Sequence, residues 1–453
     1  MKKRLTFPVT KKIPNPHFSI LVIFSFLLIL ITSCRPKQEA VSFQPEDINE
    51  VISKMSDIML HDITNPPLAA RFFSYTCLAG YEILSQNDKK FKGMHGVLNN
   101  YPEIKKPDSV ELANYQLAAL LAMMETAKNM QPSGKLLAAF EENFLDSCSK
   151  AGFDEDVLGQ SKNYAVSISQ QIMGYAKADA YNKISNRQRY TPLKTDGYWY
   201  PTPPGFMAAV EPYFNTVRPF TLDSANQFIA VPPVPYSVKK NSPFYKLTAA
   251  VYQEGNALPD EHRAIAAFWD CNPFAIQDGG HLQYGFKKIS PGAHWLGITG
   301  IACVDGKKNF NESMQIYTSV CVGLMDAFIS CWDEKYRSNR IRPETAIRKL
   351  IDPQWVPLLQ TPPFPEYLSG HSYISSASAI ILTHYFGENF SYTDRVEVPY
   401  GLPPRAFKSF RQAAEEAAIS RFYGGIHFMD AIVEGQRLGI KVGSLVLQKL
   451  GKG

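Results

Sequence analysis

The fold of this chain is decided by three stretches: Lys335-Tyr-Arg-Ser-Asn-Arg-Ile-Arg342-Pro343, then Ser369-Gly370-His371, then Ser420-Arg421 with His427 shortly after. Together they offer basic side chains, a hydroxyl beside a glycine, and two histidines. Guanidinium and ammonium groups, free backbone N–H groups and imidazoles suit a tetrahedral or trigonal-bipyramidal oxyanion. We therefore predict an oxyanion site built from the C-terminal half of the chain.

The first stretch carries two cations with a fixed relationship. Lys335 and Arg342 lie seven residues apart in the sequence, so a continuous helix would present both on one face. Pro343 disfavours helical geometry at Arg342 and places it at a helix junction, and in either case both cations reach one site. Arg342 offers a planar fork and Lys335 a mobile charge. Taken alone, the stretch also fits a solvated, basic helix end.

The second stretch precedes a predicted helix. Backbone N–H groups at a helix N-terminus bind anions, and Gly370 allows the backbone to approach closely. Ser369 adds a hydroxyl donor, and His371 is predicted to act as general acid–base because the pKa of histidine lies near the working range. A helix-capping serine beside an incidental histidine is the alternative interpretation.

The third stretch adds Arg421 as a further cation. Gly424-Gly425 breaks the helix that carries Arg421 and redirects the chain. His427 is then predicted to begin the final helix, facing the same site.

In this order and spacing, the three stretches resemble the superfamily shared by type 2 phosphatidic acid phosphatases and vanadium-dependent haloperoxidases, in particular its bacterial haloperoxidase-like lipoproteins. The resemblance covers residues 190–448 and departs from the usual pattern at Leu368, where proline is common. It implies an all-α, multi-helix bundle in which His427 bonds to vanadium or phosphorus. It implies that the bound oxyanion is surrounded by Lys335, Arg342, Ser369, Gly370 and Arg421.

The resemblance also implies a carboxylate that orients His427. In the family an aspartate usually follows this histidine by four residues, whereas here Asp430 follows by three. Because positions i, i+3 and i, i+4 share a helix face, Asp430 is predicted to orient the His427 ring.

Two aromatic residues bear on the choice between the two activities of the superfamily. Trp332 and Phe364 match the tryptophan and phenylalanine of fungal chloroperoxidases and of some bacterial iodo- and chloroperoxidases. The resemblance therefore implies a dry halide pocket, in which electrostatic activation is strong. The alternative is that both rings are ordinary core residues. His294 is expected to be a hydrogen-bonded structural residue.

The resemblance implies a vanadate-dependent haloperoxidase that uses hydrogen peroxide to oxidise a halide or an organic acceptor. Vanadate is its expected cofactor, with His427 as the vanadium ligand, and a homodimer is possible. Two alternatives stay open. One is a soluble acid phosphatase that acts through a phosphohistidine at His427. The other is a non-catalytic surface lipoprotein that binds through the aromatic-rich residues 190–240.

The N-terminus predicts export. Residues 1–33 combine a basic beginning with an apolar run typical of a signal peptide, and Leu30-Ile31-Thr32-Ser33-Cys34 resembles a bacterial lipobox. Cys34 would carry the lipid, residues 34–44 would form a tether, and Arg35 favours the outer membrane. An uncleaved signal anchor is the alternative.

Charge and cysteine content exclude other classes. The signal peptide holds five of the 47 basic residues and none of the 42 acidic ones, so the rest of the chain is formally neutral. Nothing in it indicates a nucleic-acid surface. The six cysteines after Cys34 include no C-x-x-C pair, which disfavours a structural zinc site.

The remaining pattern predicts helices and one irregular segment. Residues 45–190 form an N-terminal helical region and residues 191–450 the catalytic region. Residues 190–240, rich in proline and aromatic side chains, are predicted to wrap the helical core and help wall a cleft. No alternating strand is predicted within residues 45–184. The predicted helices span residues 46–60, 67–84, 110–130, 134–151, 155–184, 243–255, 260–269, 311–340, 371–385, 405–422 and 427–450.

Overall fold

The protein is described by a computed structural model, which covers residues 42–193, 195–278, 283–285 and 288–451. The predicted signal peptide and Cys34 lie outside the described residues. Helices from both sides of residue 190 contribute to one apolar core, so the two predicted regions are packed together.

The described part of the chain contains thirteen α-helices, which confirms the all-α class. Two short antiparallel hairpins, β1–β2 and β3–β4, which the sequence pattern does not predict, add to them. In chain order the elements are α1 (Pro45–His61), α2 (Pro66–Asn87), α3 (Tyr115–Met130), α4 (Leu137–Lys150), α5 (Glu155–Lys177), α6 (Pro243–Asn256), α7 (Asp260–Phe268), β1 (Ile276–Asp278), β2 (Gln283–Gly285), α8 (Pro291–Asp305), α9 (Phe310–Ser338), α10 (Pro343–Leu350), α11 (Gly370–Phe386), β3 (Tyr392–Asp394), β4 (Arg405–Phe407), α12 (Phe410–Tyr423) and α13 (Met429–Lys449).

The central element of the core is α9. The Asn309 side chain accepts from the backbone of Glu312, whose own side chain accepts from the Asn309 backbone, and this capping box starts the helix. Asn339, in the left-handed conformation, ends it. The helix is long and apolar enough to cross a membrane, but 94% of its apolar window is buried inside the protein. Its composition therefore reflects a core position.

Several predicted boundaries differ from the structure near the oxyanion stretches. The helix predicted over 405–422 begins only at Phe410, because residues before it form strand β4. The last helix begins at Met429, so His427 precedes it instead of opening it. Helices α8 and α10 were not predicted, since glycine-rich and very short segments give weak helical patterns.

The proline- and aromatic-rich segment is anchored to α9. The buried Asp326 carboxylate accepts backbone N–H bonds from Phe220, Thr221 and Leu222 at 2.6, 2.7 and 3.2 Å. Farther along α9, the Trp332 indole donates to the Val210 carbonyl at 3.2 Å. The segment therefore runs along the core helix up to the predicted site.

Helices α11 and α13 pack backbone against backbone. A Cβ atom added to Gly439 would lie 2.1 Å from the Tyr373 carbonyl oxygen, and Gly435 and Gly443 also face α11 with too little room for a side chain. The Ser369 N–H donates to the Ala431 carbonyl at 3.1 Å. Glycine is required here by the close approach of the two helices, which fixes the start of α11 against the start of α13.

Candidate oxyanion site

The three stretches converge on one cleft. Lys335 lies on α9, Arg342 caps the N-terminus of α10, and Arg421 lies on α12. Ser369 caps α11, so that Gly370 and His371 form its first turn. The cleft wall includes Trp332, Phe364, Gly370, His371, Arg421 and His427.

His427 is held by hydrogen bonds on both ring nitrogens. Its Nδ1 lies 2.9 Å from the Glu366 carboxylate, and its Nε2 lies 3.2 Å from Nη1 of Arg342. Since a carboxylate accepts and a guanidinium donates, the proton belongs on Nδ1 and the lone pair on Nε2. Burial, reinforced by Arg342 and Lys335, holds the pKa of His427 well below its usual range. The ring is therefore a neutral ligand or nucleophile.

The prediction that Asp430 orients His427 was wrong, because Glu366 takes that position. Glu366 also accepts the Phe428 backbone N–H at 2.9 Å and the Nε of Arg340 at 2.6 Å. The Asp430 carboxylate instead accepts hydrogen bonds from both terminal nitrogens of Arg340, at 2.6 and 2.7 Å. His427 lies outside α13, so the helical i, i+3 relationship on which the prediction rested does not apply.

Arg342 and Arg421 each bring an unused donor to the site. Arg342 donates to the carbonyls of Phe364 and Ile426 at 2.9 Å, and Arg421 donates to Ser420 and His371 at 3.1 and 3.3 Å. The Nη2 atom of each arginine is buried and lacks a hydrogen-bond partner among the described residues. Such donors cost stability when unpaired. They therefore favour an oxyanion.

The ammonium group of Lys335 donates hydrogen bonds to backbone carbonyls of the protein. It donates to the carbonyls of Pro365 and Glu366 at 3.0 and 3.2 Å, and also to that of Leu368. It thereby holds the loop that carries Phe364 and Glu366. Burial lowers the pKa of Lys335 to about 7.

His371 has the same tautomer as His427. Its Nε2 accepts from Arg421 at 3.3 Å, which places the proton of the neutral ring on Nδ1. Burial, then the charges of Arg421 and His427, hold the pKa of His371 well below its usual range. Its unprotonated Nε2 faces the cleft and can accept a proton.

The two aromatic residues form one wall of the cleft. The rings of Trp332 and Phe364 are 5.0 Å apart. Lys335 Nζ and the guanidinium carbon of Arg342 each lie 5.0 Å from the Phe364 ring centre. This apolar wall shields the cations from water and strengthens their field.

Sequence reasoning missed Glu366, which no local motif marks. It also missed a second cluster beside the cleft. There His294 is fully buried and contacts Asp394, Glu397 and Cys271, and Cys271 also lines the cleft. His294 is hydrogen-bonded, as expected. His281, which the sequence also predicts to be a structural histidine, lies outside the described residues.

Comparisons with known proteins agree with this geometry. Residues 315–452 match the family model of the VCPO second helical-bundle domain. The structure of the first bacterial vanadium-dependent iodoperoxidase shares 43% sequence identity, with a TM-score of 0.86, covering 91% of this chain and 98% of that chain.

More distant structures share the fold. Apo- and holo-type bacterial vanadium-dependent chloroperoxidases each have a TM-score of 0.63 and cover 86% of this chain, with 95% and 94% of their own chains covered. Their identities are 14% and 16%, so they show the fold alone. No curated protein matches the chain significantly. Because the iodoperoxidase structure is 43% identical in sequence over 91% of this chain, the chain belongs to the vanadium-dependent haloperoxidases. These are peroxidase oxidoreductases with vanadate as cofactor.

Proposed function

We propose that this haloperoxidase binds vanadate through Nε2 of His427 and uses hydrogen peroxide to oxidise iodide. One observation carries the proposal: the lone pair of His427 shares its cleft with two buried guanidinium donors that lack partners among the described residues. Iodide is favoured because the 43% identical structure is that of an iodoperoxidase.

The residues present fit a vanadate anion. His427 would be its protein ligand, and the Nη2 atoms of Arg342 and Arg421 would donate to its oxygens. Gly370 lies at the N-terminus of α11, where backbone N–H groups favour an anion. Bound vanadate supplies the Lewis acidity that activates hydrogen peroxide.

The protein's own groups supply orientation and proton transfer. Glu366 fixes the His427 ring so that Nε2 points away from the carboxylate. His371, unprotonated at Nε2, would accept a proton from hydrogen peroxide entering the cleft and would donate it to the oxygen that leaves as water. Arg421 holds His371 in position for both steps.

Trp332 and Phe364 form the proposed halide pocket. Iodide is large and weakly hydrated, so transfer to an apolar, cation-lined wall costs it less than it costs a smaller halide. Lys335 and Arg342 lie against the Phe364 ring and provide the compensating positive charge.

Export and lipid attachment at Cys34 belong to the same proposal, as do the outer-membrane location and a homodimer. The signal-like residues 1–33 and the lipobox-like Leu30–Cys34 support export. Labelled fatty acid should be incorporated into the wild type in a bacterial host and not into Cys34→Ala, whereas a wild type that keeps residues 1–33 and takes up no label would support a signal anchor. Light scattering of the purified protein tests the dimer.

The experiment that tests the activity uses purified protein stripped of vanadate and then reconstituted with orthovanadate. Peroxide-dependent oxidation of iodide and bromide is measured beside hydrolysis of p-nitrophenyl phosphate by the stripped protein. Iodide oxidation that requires vanadate, and that disappears in His427→Ala and Lys335→Ala, is expected. Phosphate-ester hydrolysis inhibited by vanadate, without halide oxidation, would instead indicate a phosphatase with His427 as nucleophile.

A further inference from the structure

A second set of side chains converges on one point beside the cleft. Cys271 follows α7, His294 lies in the first turn of α8, and Glu397 follows strand β3. All three are buried. The Sγ of Cys271 lies 3.5 Å from Nδ1 of His294 and 3.9 Å from Oε1 of Glu397, and Nδ1 lies 3.1 Å from Oε1.

These distances match the edges of a metal coordination tetrahedron. With Zn–S near 2.3 Å and Zn–N or Zn–O near 2.0–2.1 Å, neighbouring ligand atoms lie about 3.3–3.6 Å apart. Thiolate, imidazole and carboxylate together are the donor types that zinc prefers. The three atoms therefore need shifts of only a few tenths of an ångström to share one ion.

A further carboxylate completes the arrangement around His294. Its Nε2 lies 2.8 Å from Oδ2 of Asp394, which is fully buried. An imidazole that binds a metal through one nitrogen commonly donates from the other to a carboxylate, which fixes the tautomer. Asp394 thus directs the lone pair of His294 toward Cys271 and Glu397.

We propose that Cys271, His294 and Glu397 bind a divalent cation of the zinc class, separately from the vanadate site. Among the described residues the group has three members, the number typical of zinc sites with an exchangeable fourth ligand. Cys271 lines the cleft, so a water molecule from the cleft is a suitable fourth ligand.

Charge separates the two sites. His427 lies among Arg342, Lys335 and Arg421, which repel a cation and attract an oxyanion. His294 instead lies between Asp394 and Glu397, which attract a cation. The competing occupant of the second site is a proton, because an imidazolium between two carboxylates satisfies the same charges.

The cation site is connected to the catalytic histidine through a short segment. Cys271 follows Trp269 by two residues; the Trp269 backbone raises the pKa of His371 against the larger effect of burial, and the Trp269 ring stacks on His294 at 4.7 Å. A cation bound to Cys271 would hold this segment and so position His371.

The test measures metal binding to the full-length protein, purified without vanadate and treated with a chelator. Zn²⁺ is added, unbound metal is removed, and the metal content per chain is determined. Co²⁺ then serves as a spectroscopic probe, because a cobalt–thiolate bond gives a near-ultraviolet charge-transfer band. Cys271→Ala and Glu397→Gln are compared with Cys303→Ala, which removes another buried thiol, carried by α8.

One Zn²⁺ per chain is expected in the wild type and in Cys303→Ala, and its loss is expected in Cys271→Ala and Glu397→Gln. Zn²⁺ should raise the melting temperature of the wild type and of Cys303→Ala only. The cobalt–thiolate band should also appear only in these two proteins. Absence of stoichiometric Zn²⁺ in the wild type would overturn the proposal in favour of the proton. So would binding that both site variants retain. If Cys271→Ala does not fold, the near-isosteric Glu397→Gln decides alone.

Discussion

Two buried histidines at one cleft, His427 and His294, show how the second neighbour of an imidazole decides its chemistry. Each ring meets a carboxylate through one nitrogen, at 2.9 Å for Glu366 and 2.8 Å for Asp394. The other nitrogen of His427 meets the guanidinium of Arg342, whereas that of His294 meets a second carboxylate, Glu397.

The two pKa values move in opposite directions. Burial, then Arg342 and Lys335, lower the pKa of His427 well below its usual range. Burial also opposes protonation of His294, yet Asp394 raises the pKa of His294 well above that range. The first ring keeps a lone pair for an electrophilic centre, and the second attracts positive charge.

The largest expected effect separates the sites directly. His427→Ala should weaken vanadate binding by at least about a thousandfold, or ~4 kcal/mol, because it removes the ligand atom. Zn²⁺ binding by the same variant should stay unchanged. Equilibrium dialysis with each ion measures both. His95→Gln, a change at an exposed histidine that does not line the cleft, serves as control, and retained vanadate affinity in His427→Ala would disprove the assignment.

A smaller effect is expected from the carboxylate that orients His427. Glu366→Gln should reduce vanadate affinity by about 10–100-fold, the usual range for partners of a metal-bound histidine. Asp430→Asn is the matched change one step farther away, since Asp430 reaches the site only through Arg340. Vanadate titrations compare the two, and a larger loss in Asp430→Asn would restore the original sequence prediction.

The contribution of the cations around His427 to vanadate binding can also be reduced without changing their charge. Arg421→Lys keeps a positive group but removes the planar fork and its unpaired Nη2. About tenfold weaker vanadate binding is expected, corresponding to one charged hydrogen bond of ~1.5 kcal/mol. The same titration measures it. An unchanged affinity would mean that this donor does not contact the anion.

A pH dependence of stability gives the smallest effect when it is taken per pH unit. Burial lowers the pKa of Lys335 to about 7, whereas an unfolded lysine titrates near ~10.4. Between these values the unfolded state binds the additional proton, so stability rises with pH. Vanadate-free wild type should therefore gain on the order of 1 kcal/mol per pH unit relative to Lys335→Met across that window.

Urea unfolding at several pH values measures this difference. A difference between wild type and Lys335→Met that does not change with pH would show that Lys335 stays charged in the fold.

The sequence predicted the residues that carry local motifs. Arg342 before proline, Ser369 before a glycine and Arg421 before a glycine pair each sit at a helix end, where short-range rules and the family resemblance both apply. Glu366 could not be found, because it lies 61 residues from His427 in an irregular segment without periodicity. The Asp430 error arose from a helix that starts two residues later than predicted.

The remaining contacts could not be predicted, because their side chains come from elements that are far apart in the sequence. His294 meets Asp394 and Glu397, 100 and 103 residues away, so the absence of a C-x-x-C pair could not exclude a cation site. Helix α8 was missed because it is apolar and glycine-containing on all sides, a pattern that reflects burial more than helical propensity.

The backbone contact between α11 and α13 makes the site robust to change elsewhere. Since Gly439 meets the Tyr373 carbonyl directly, the spacing between the Ser369 and His427 regions is not transmitted through deformable side chains. Residues of the aromatic wall can then be exchanged to alter halide preference while the anion-binding frame keeps its dimensions. A library for directed evolution should vary Trp332 and Phe364 freely and leave the glycine positions of α13 untouched.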